Sequence, residues 1–286
     1  EESQSYDLIT NYHIGGVVLR ADNNNFTSED TLSQTRSLVE SLQRLEWEAT
    51  AQQENVVTQG NQVNPSYIPL FIGMKQIGNG FPGDQILRGL TPLPSHMAIG
   101  ATWTLEFANQ VGQVLGSELR ALGINLFLGP NLYVVEAASS EAANSLGVNT
   151  FGGEPFWVGE MGKSRISGIH FWSGSRMIVV AQNFPGTGSS DRSPDCEVPT
   201  VRKSLEQLKQ MELAPYFAIT APGSSDPGRV DGVMVSHIRY QGFQGNIRAT
   251  TRPISFDSNA FQQIMSLPQF QAWRENGGVI FSDDLG

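Results

Sequence analysis

Cysteine is almost absent from this sequence, which contains a single one, Cys196, in 286 residues. One cysteine cannot form an internal disulfide or a cysteine-based metal site, and an isolated cysteine is more often inert than nucleophilic. The four histidines lie far apart and show neither H-x-H nor H-x-x-x-H spacing, which argues against a histidine-based zinc site. We therefore expect no metal ion and no cofactor.

Basic residues are also scarce. Lysine and arginine together number 18, against 28 aspartates and glutamates, and the formal net charge is −10. The only lysines are Lys75, Lys163, Lys203 and Lys209. Because binding to a phosphate backbone needs a basic stripe that displaces counterions, this composition argues against nucleic acid as a partner.

Long apolar runs are missing as well. None approaches the ~20 residues needed to cross a bilayer, so we expect no transmembrane segment. Charged residues make up only 16% of the chain, while Asn, Gln, Ser and Thr are plentiful, and the sequence begins at Glu1 without a methionine. The composition is typical of an exported protein and predicts an extracellular or cell-surface location, while the missing methionine indicates either that a leader has been removed or that the sequence is part of a longer chain.

Short apolar runs alternate with longer segments of helical period. The runs predict buried parallel strands over 16–20, 69–75, 124–130, 177–185, 232–240 and 279–284. Helices are predicted over 27–53, 104–122, 155–172, 200–219 and 256–275, and irregular loops over 55–67 and 131–153. No repeat or linker divides the chain, so we expect one domain over residues 1–286. The alternation indicates either a doubly wound α/β sheet or a TIM-type barrel, and periodicity cannot choose between them.

Polar residues stand at the ends of several predicted strands. Lys75, Asn183, His237 and Asp283 each lie at or just beyond a carboxyl end, the edge where both architectures place their sites. Asp283 is followed by a second carboxylate. Adjacent side chains at a strand end point to opposite sides, so one can face the site while the other turns away. A helix N-cap at this turn is the other interpretation.

The segment QNFPGTG (residues 182–188) is rich in glycine but fits no phosphate-binding motif. A P-loop would need a lysine after its last glycine, and the dinucleotide fingerprint would need a helix at once, whereas two prolines follow here. A strand–G-x-S-x-G–helix elbow, which would indicate a serine nucleophile, is also missing.

Nine segments together resemble glycoside hydrolase family 3, in particular its β-N-acetylhexosaminidase branch. They are HIGGVVL (13–19), PLFIGMKQIGNG (69–80), LTPLPSHMAIGAT (90–102), ELRALGINLFLGPNLYVV (118–135), NTFGGEP (149–155), QNFPGTG (182–188), MELAPYFAI (211–219), VMVSHIRY (233–240) and VIFSDDLG (279–286). The resemblance implies a (β/α)8 barrel. It also implies that this chain supplies six central strands, with the first strand before residue 1 and the last after Gly286.

The chemistry implied by the resemblance is retaining hydrolysis of β-linked N-acetylglucosamine. One carboxylate attacks the anomeric carbon, and a second group ~5 Å away protonates the leaving oxygen. The family motif places the nucleophile at Asp283. The family's acid/base is an Asp-x-His pair, which falls here on Ser193 and Asp195, so that an aspartate stands where the catalytic histidine is expected.

Other positions that bind sugar in the family also depart from its pattern. The family Lys-His is replaced by Gln182 and Asn183, and its second motif histidine by Thr187. Two hydroxyl-binding aspartates are replaced by Lys75 and Tyr133, and an arginine is replaced by Asn149. The histidine at 237 and the nucleophile Asp283 are retained. The substrate-binding positions that the resemblance implies are therefore Lys75, Tyr133, Asn149, Gln182, Asn183 and His237. Losing one such contact commonly costs ~2–4 kcal/mol in the transition state.

These substitutions predict a catalytically impaired relative, a pseudoenzyme that binds a glycan or another surface protein as a component of an extracellular or cell-surface assembly. The alternative is an active retaining β-N-acetylglucosaminidase that uses Asp283 and a relocated acid, namely Asp191, Asp195 or Glu197. Two further hypotheses concern Lys75: an ion pair with Asp283, or the binding of an anionic sugar.

Overall fold

Six parallel strands form the main sheet in the computed structural model of the protein, which describes residues 4–27, 29–52, 56–58, 61–63, 66–136, 147–188, 190, 197–221 and 226–285. In chain order the strands are β1 (Gly16–Val18), β2 (Val56–Thr58), β3 (Asn61–Val63), β4 (Phe71–Met74), β5 (Leu126–Asn131), β6 (Ile178–Phe184), β7 (Thr200–Val201), β8 (Gly232–Val235), β9 (Arg239–Tyr240) and β10 (Val279–Ser282).

Helices follow most strands of the main sheet. They are α1 (Gln4–Thr10), α2 (Thr31–Gln52), α3 (His96–Gly100), α4 (Leu105–Ala121), α5 (Pro155–Ser173), α6 (Leu205–Gln210), α7 (Ala214–Ile219), α8 (Gln241–Gln244), α9 (Ser258–Met265) and α10 (Pro268–Glu275). Short 3-10 turns lie at Ala21–Asn23, Gly147–Asn149 and Ile254–Phe256. Within the described ranges, no helix combines the length and apolar character needed to cross a membrane.

The order of strands in the main sheet decides between the two predicted architectures. The order is β1-β4-β5-β6-β8-β10, and each neighbouring pair is parallel. A doubly wound sheet reverses its strand order at a switch point, whereas here the order follows the chain throughout. The sheet is therefore part of a TIM-type (β/α)8 barrel, and the fold that the resemblance implies is confirmed.

Alternating side chains of the central strands fill two separate apolar regions. Leu126, Leu128 and Val180 pack together on the face of the sheet away from the helices, which is the inside of the barrel. Phe127 and Val179 belong to the large core between sheet and helices. Because both faces are buried, these strands are apolar up to their carboxyl ends, and this is why short apolar runs predicted them.

Helices α4 and α5 pack closely through small residues. A side chain at Gly116 would place its Cβ 2.6 Å from the carbonyl oxygen of Ile169, and Gly112 and Gly168 approach the opposite helix in the same way. The Ser164 hydroxyl donates to the carbonyl of Leu105 at 2.8 Å. These contacts fix the two helices against each other over most of their length.

We expect Gly116→Ala to lower the free energy of unfolding by about 1–3 kcal/mol, because the new methyl group meets backbone atoms that cannot move alone. Urea denaturation measures the loss. Gly15→Ala is the matched control, since a Cβ at Gly15 meets nothing within 4 Å. Equal stability of the two variants would contradict the close helix packing.

Three predictions of local structure are wrong. The segment 200–219 is not one helix: it begins as β7 and then forms α6 and α7. Ser204 starts α6 with a reciprocal capping box to Gln207, and Pro215 starts α7. Residues 55–67 contain the antiparallel pair β2–β3 rather than only a loop, and 232–240 divides into β8 and β9, which belong to different sheets.

Candidate functional site at the carboxyl edge of the sheet

The predicted site residues lie at the carboxyl edge of the main sheet, which we call the mouth. Those at strand ends are Lys75 after β4, Tyr133 after β5, Gln182 and Asn183 at the end of β6, His237 after β8 and Asp283 after β10; Asn149 ends a 3-10 turn between β5 and α5. The carboxyl ends of parallel strands in a barrel surround one opening. Ser193 and Asp195, the acid/base positions, lie outside the described residues, as do Asp191 and Cys196.

Asn183 adopts a left-handed backbone conformation, with φ of 63°, which asparagine tolerates better than most residues. Its side-chain Nδ2 donates to Oδ1 of Asn131 at 3.3 Å. Gln182 stands opposite Asn131 in the strand register and is buried, and its carbonyl accepts a hydrogen bond from the Tyr216 hydroxyl at 2.7 Å. The amide that replaces the family histidine is therefore bonded to a neighbouring strand.

The backbone of FPGTG is fastened by groups from other elements. The Tyr240 hydroxyl donates to the carbonyl of Gly186 at 2.7 Å. Burial raises the pKa of Tyr216 and Tyr240 well above the usual range, so both hydroxyls keep their protons and act as donors. A Cβ at Gly188 would overlap the carbonyl of Val134. Thr187 is fully buried, and its hydroxyl has no hydrogen-bond partner in the described part of the chain.

An ion-pair cluster lies beside this loop. Lys203 Nζ is 2.8 Å from Oε1 of Glu136 and 2.8 Å from Oε1 of Glu212. Glu212 is almost fully buried, whereas Glu136 is 43% exposed. The cluster joins the segment after β5 to the segment before α6. Sequence reasoning missed it because neither glutamate is near Lys203 in a recognisable motif, although Glu212 lies in the segment MELAPYFAI.

The loop after β4 is organised by Asp84. Its Oδ1 accepts hydrogen bonds from the backbone amides of Ile77 and Gly78, at 2.6 and 2.7 Å, and its Oδ2 accepts one from Gly80 at 2.7 Å. Asp84 is buried, so these amides have little access to water. The carboxylate thereby sets the backbone path that begins at Lys75.

The same loop bonds to the turn before α5. Asn79 Nδ2 donates to Oδ1 of Asn149, and the ring of His96 contacts the carbonyl of Asn149 through Nδ1 at 3.0 Å. His96 is fully buried and stacks on Phe151. Burial, together with the cationic Arg165 and Lys75, lowers the pKa of His96 well below its usual value. The imidazole is therefore neutral, with its proton on Nδ1.

Arg165 is a fully buried cation beneath this loop. Its Nη2 donates to the carbonyl of Ile77 at 3.4 Å, and its Nε and Nη1 have no hydrogen-bond partner among the described residues. Burial lowers the pKa of Arg165 to about 9, an effect that the carboxylate of Asp84 opposes. The guanidinium therefore places a positive charge behind the mouth loop at neutral pH.

His237 is bonded on both ring nitrogens. Nε2 lies 2.6 Å from the carbonyl oxygen of Asp284 and donates to it, and Nδ1 is hydrogen-bonded to the Ser255 hydroxyl, also at 2.6 Å. The ring stacks on Phe256 with centroids 5.3 Å apart. His237 thus holds the chain at the end of β10, immediately beside Asp283.

The side-chain carboxylates of Asp283 and Asp284, after β10, point in different directions. Asp284 Oδ2 is 3.6 Å from Nη1 of Arg20, which follows the opposite edge strand β1. Asp283 is half-buried, and its Oδ1 accepts a hydrogen bond from the Asp284 amide at 2.9 Å. The ion pair between Asp283 and Lys75 that the sequence left open does not form: no ion pair joins Asp283 to any of the described residues. Asp283 therefore carries a carboxylate at the mouth without a neutralising cation from that set.

A parallel barrel with a carboxylate after its last described strand, and with amide and histidine side chains around the mouth, has its polar groups where barrel enzymes place their sites. The chain belongs to glycosyl hydrolase family 3: the family model described as "Glycosyl hydrolase family 3 N terminal domain" matches residues 1–286.

Curated relatives carry hexosaminidase names. The chain is 28% identical over 237 residues to "Beta-hexosaminidase A" of Pseudoalteromonas piscicida, covering 82% of this chain and 34% of that protein. It is 28% identical over 224 residues to a "Beta-hexosaminidase" of Xylella fastidiosa, covering 76% and 59%. The chain thus spans between about a third and three fifths of the length of these relatives.

Solved structures agree with the fold. A glycoside hydrolase family 3 β-N-acetylglucosaminidase from Paenibacillus sp. superposes with a TM-score of 0.78 and 26% identity, over 100% of this chain and 46% of that one. Native NagZ from Neisseria gonorrhoeae superposes with a TM-score of 0.71 and 23% identity, over 100% and 70%. The second likeness concerns the fold alone.

Proposed function

We propose that the mouth binds a glycan containing β-linked N-acetylglucosamine and that hydrolysis of this glycan is strongly impaired. The observation that carries the proposal is the pairing of amides at the mouth. Asn183 is bonded to Asn131, and Asn79 to Asn149. Two of these four amides, Asn183 and Asn149, stand where the family resemblance implies a histidine and an arginine.

Replacing charged side chains by amides is expected to lower the rate of hydrolysis more than the affinity for the glycan. An amide can still donate to a sugar hydroxyl, so moderate affinity is compatible with these residues. It cannot provide the charge-assisted hydrogen bonds that arginine, lysine or protonated histidine would make to the sugar hydroxyls. Interactions that strengthen only in the transition state are the ones that raise kcat, and several of them are replaced here.

Tyr133 and Lys75 also change how the mouth binds the unreacted glycan. The resemblance implies hydroxyl-binding carboxylates at both positions. Tyr133 is a buried aromatic residue, and Lys75 is a half-buried cation. Carboxylates accept bidentate hydrogen bonds from sugar hydroxyls, whereas neither replacement can do so. We infer that the glycan specificity of this mouth differs from that of the hexosaminidases it resembles.

Asp283 favours a second candidate function, an active retaining β-N-acetylglucosaminidase. Its carboxylate stands where the family resemblance implies the nucleophile, His237 holds the adjacent backbone, and no described cation neutralises it. The function would need a relocated acid. Of the three carboxylates considered, Glu197 is exposed after the undescribed segment, and Asp191 and Asp195 lie within that segment.

Hydrolysis of p-nitrophenyl N-acetylglucosaminide by the wild type and by Asp283→Asn separates the two functions. The impaired function predicts that both proteins release p-nitrophenol at the same rate, within twofold, while both bind N-acetylglucosamine in calorimetry. The active function predicts a loss of about 10³-fold in Asp283→Asn, because the nucleophile is removed.

Asp284→Asn is the control for this assay, because its carboxylate points to Arg20. A large loss in Asp283→Asn with none in Asp284→Asn would overturn the impaired function. If the wild type bound no N-acetylglucosamine and released no p-nitrophenol, both functions would be wrong.

The location and the assembly extend the same proposal. A domain that binds a glycan without hydrolysing it can hold that glycan in place. The composition of the chain also predicts export. We propose that this domain acts outside the cell as a component of a glycan-containing surface assembly. Fractionation of the native host cells, followed by detection with an antibody to this domain, tests the location; recovery only in the cytoplasmic fraction would contradict it.

A further inference from the structure

Three aromatic side chains form an exposed group apart from the residues of the mouth. Trp103 and Phe156 are 59% and 63% exposed, and Trp157 lies between them, packed against the main core. The ring of Trp157 meets Trp103 edge-on with centroids 5.4 Å apart, and Phe156 edge-on at 5.6 Å. We call Trp103, Phe156 and Trp157 the rim cluster.

The rim cluster lies on the same side of the barrel as the mouth. Trp103 precedes α4 by two residues, and Phe156 and Trp157 are in the first turn of α5. Both helices run antiparallel to the strands they connect, so their amino-terminal ends lie at the carboxyl edge of the sheet. The close glycine packing between α4 and α5 holds the rings at fixed positions relative to each other.

The backbone at Trp103 is unusual. Its φ is 54°, in the left-handed region that a bulky side chain occupies at an energetic cost. Glycine would adopt this conformation without that cost. A tryptophan that is both strained and more than half exposed gains little from folding, which indicates that its ring serves a purpose on the surface.

We propose that the rim cluster is a second sugar-binding site, which holds a pyranose ring of a glycan chain whose end enters the mouth. Exposed aromatic faces pack against the C–H groups of sugar rings. The exposed carboxylate of Glu106, three residues after Trp103, can accept hydrogen bonds from the sugar hydroxyls, whereas the Thr102 hydroxyl is already bonded to the backbone of Ile99 and Thr104. The site is distinct from the mouth, and it rests on the proposed function only for the identity of the sugar.

A glycan fits the rim cluster better than a protein partner does. A stable protein interface buries about 800 Å² on each partner and involves roughly 20–30 residues a side, whereas this group exposes two large rings. The chain also belongs to a family of glycoside hydrolases, and the rings stand at helix ends on the same side of the barrel as the mouth. Exposed aromatic rings on that side are chemically consistent with an elongated, uncharged polysaccharide.

The opposite end of α5 offers a matched control. Phe171 and Trp172 are 74% and 49% exposed and meet edge-on with centroids 6.1 Å apart. They lie in the last turn of the helix, on the side of the barrel away from the mouth. The same chemistry is thus present at a place where a glycan leaving the mouth cannot reach.

Calorimetric titration with N-acetylglucosamine and with its β-1,4-linked hexamer tests the proposal. In the complete protein, we expect Trp103→Gly and the double variant Trp103→Gly/Phe156→Ala to weaken hexamer binding, the latter by about tenfold. Affinity for the monosaccharide should stay within twofold, since it occupies the mouth alone. Trp172→Ala should change neither affinity.

Glycine is chosen at position 103 because it suits the left-handed backbone, so these variants should fold, and an unchanged or higher Tm verifies this. Hexamer affinity within twofold of wild type in the double variant would overturn the proposal, whether or not the mouth binds sugar. Loss of self-association in that variant with unchanged hexamer binding would also overturn it, in favour of a protein contact. If the wild type bound the hexamer but not the monosaccharide, the proposed function of the mouth would be wrong. The rim site would still be supported if the Trp103 and Phe156 variants bound the hexamer more weakly.

Discussion

Replacing Lys203 by methionine is expected to lower the free energy of unfolding by about 3–5 kcal/mol. Methionine fits a similar volume but carries no charge, so Glu212, almost fully buried, loses the cation 2.8 Å from its carboxylate. When one partner of a buried ion pair is removed, the remaining carboxylate keeps its desolvation penalty and loses the attraction of that cation. Urea denaturation of the wild type and the variant at neutral pH measures the difference.

Lys209 provides a matched comparison for this substitution. It is also paired with a glutamate at 2.9 Å, but Glu206 is 75% exposed. Exposed pairs contribute little because water solvates both partners, so Lys209→Met should change the free energy of unfolding by less than about 1 kcal/mol. Lys203→Met/Glu212→Met should regain much of the lost stability, because the double variant also removes the buried carboxylate of Glu212. If the double variant were no more stable than Lys203→Met, burial of the charge would not be the cause.

Asp84→Ala is expected to have an effect of similar size, about 3–5 kcal/mol, and to abolish sugar binding at the mouth. The substitution removes the acceptor of three backbone hydrogen bonds, from Ile77, Gly78 and Gly80, in a buried loop. With these amides unpaired, the loop that carries Lys75 and Asn79 would lose its conformation. Urea denaturation and calorimetry with N-acetylglucosamine measure the two effects.

Two further variants make this prediction specific. Asp84→Asn keeps one acceptor oxygen and should lose roughly half as much stability as the alanine variant. Asp22→Ala removes an aspartate that is 53% exposed and pairs with a half-exposed arginine, and should stay within about 1 kcal/mol of wild type. An Asp84→Ala protein that unfolds like the wild type would show that water replaces the carboxylate at no cost.

The strands were the most predictable part of this fold. Five of the six strands of the main sheet fall within predicted apolar runs, and β5 exceeds its run by one residue, Asn131, because a strand buried on both faces is apolar until it reaches the polar carboxyl edge. Periodicity left the choice between a doubly wound sheet and a barrel open, since strand order is a long-range property. One helix start could also have been predicted from the sequence, because Ser204 and Gln207 have the spacing of a capping box within the predicted helix 200–219.

The site was predictable only where strand ends determine it. The positions of Lys75, His237 and Asp283 at the mouth followed from the strand assignments. Their partners did not, because Ser255 reaches His237 from 18 residues away, and Glu136 reaches Lys203 from 67 residues away. Contacts of that separation depend on how the barrel closes, which no local pattern contains.

The fastening of the FPGTG backbone has a consequence for how such a site can change. The hydroxyl groups that hold this loop come from Tyr216 and Tyr240, on α7 and β9, and they bond to main-chain carbonyls. The two hydrogen bonds that hold this backbone therefore do not use the side chains at positions 182, 183 and 187, although Gln182 and Thr187 are buried and Asn183 is bonded to Asn131. Evolution can exchange the chemistry of this loop while inheriting its shape, and a protein engineer can graft lysine and histidine onto the same frame.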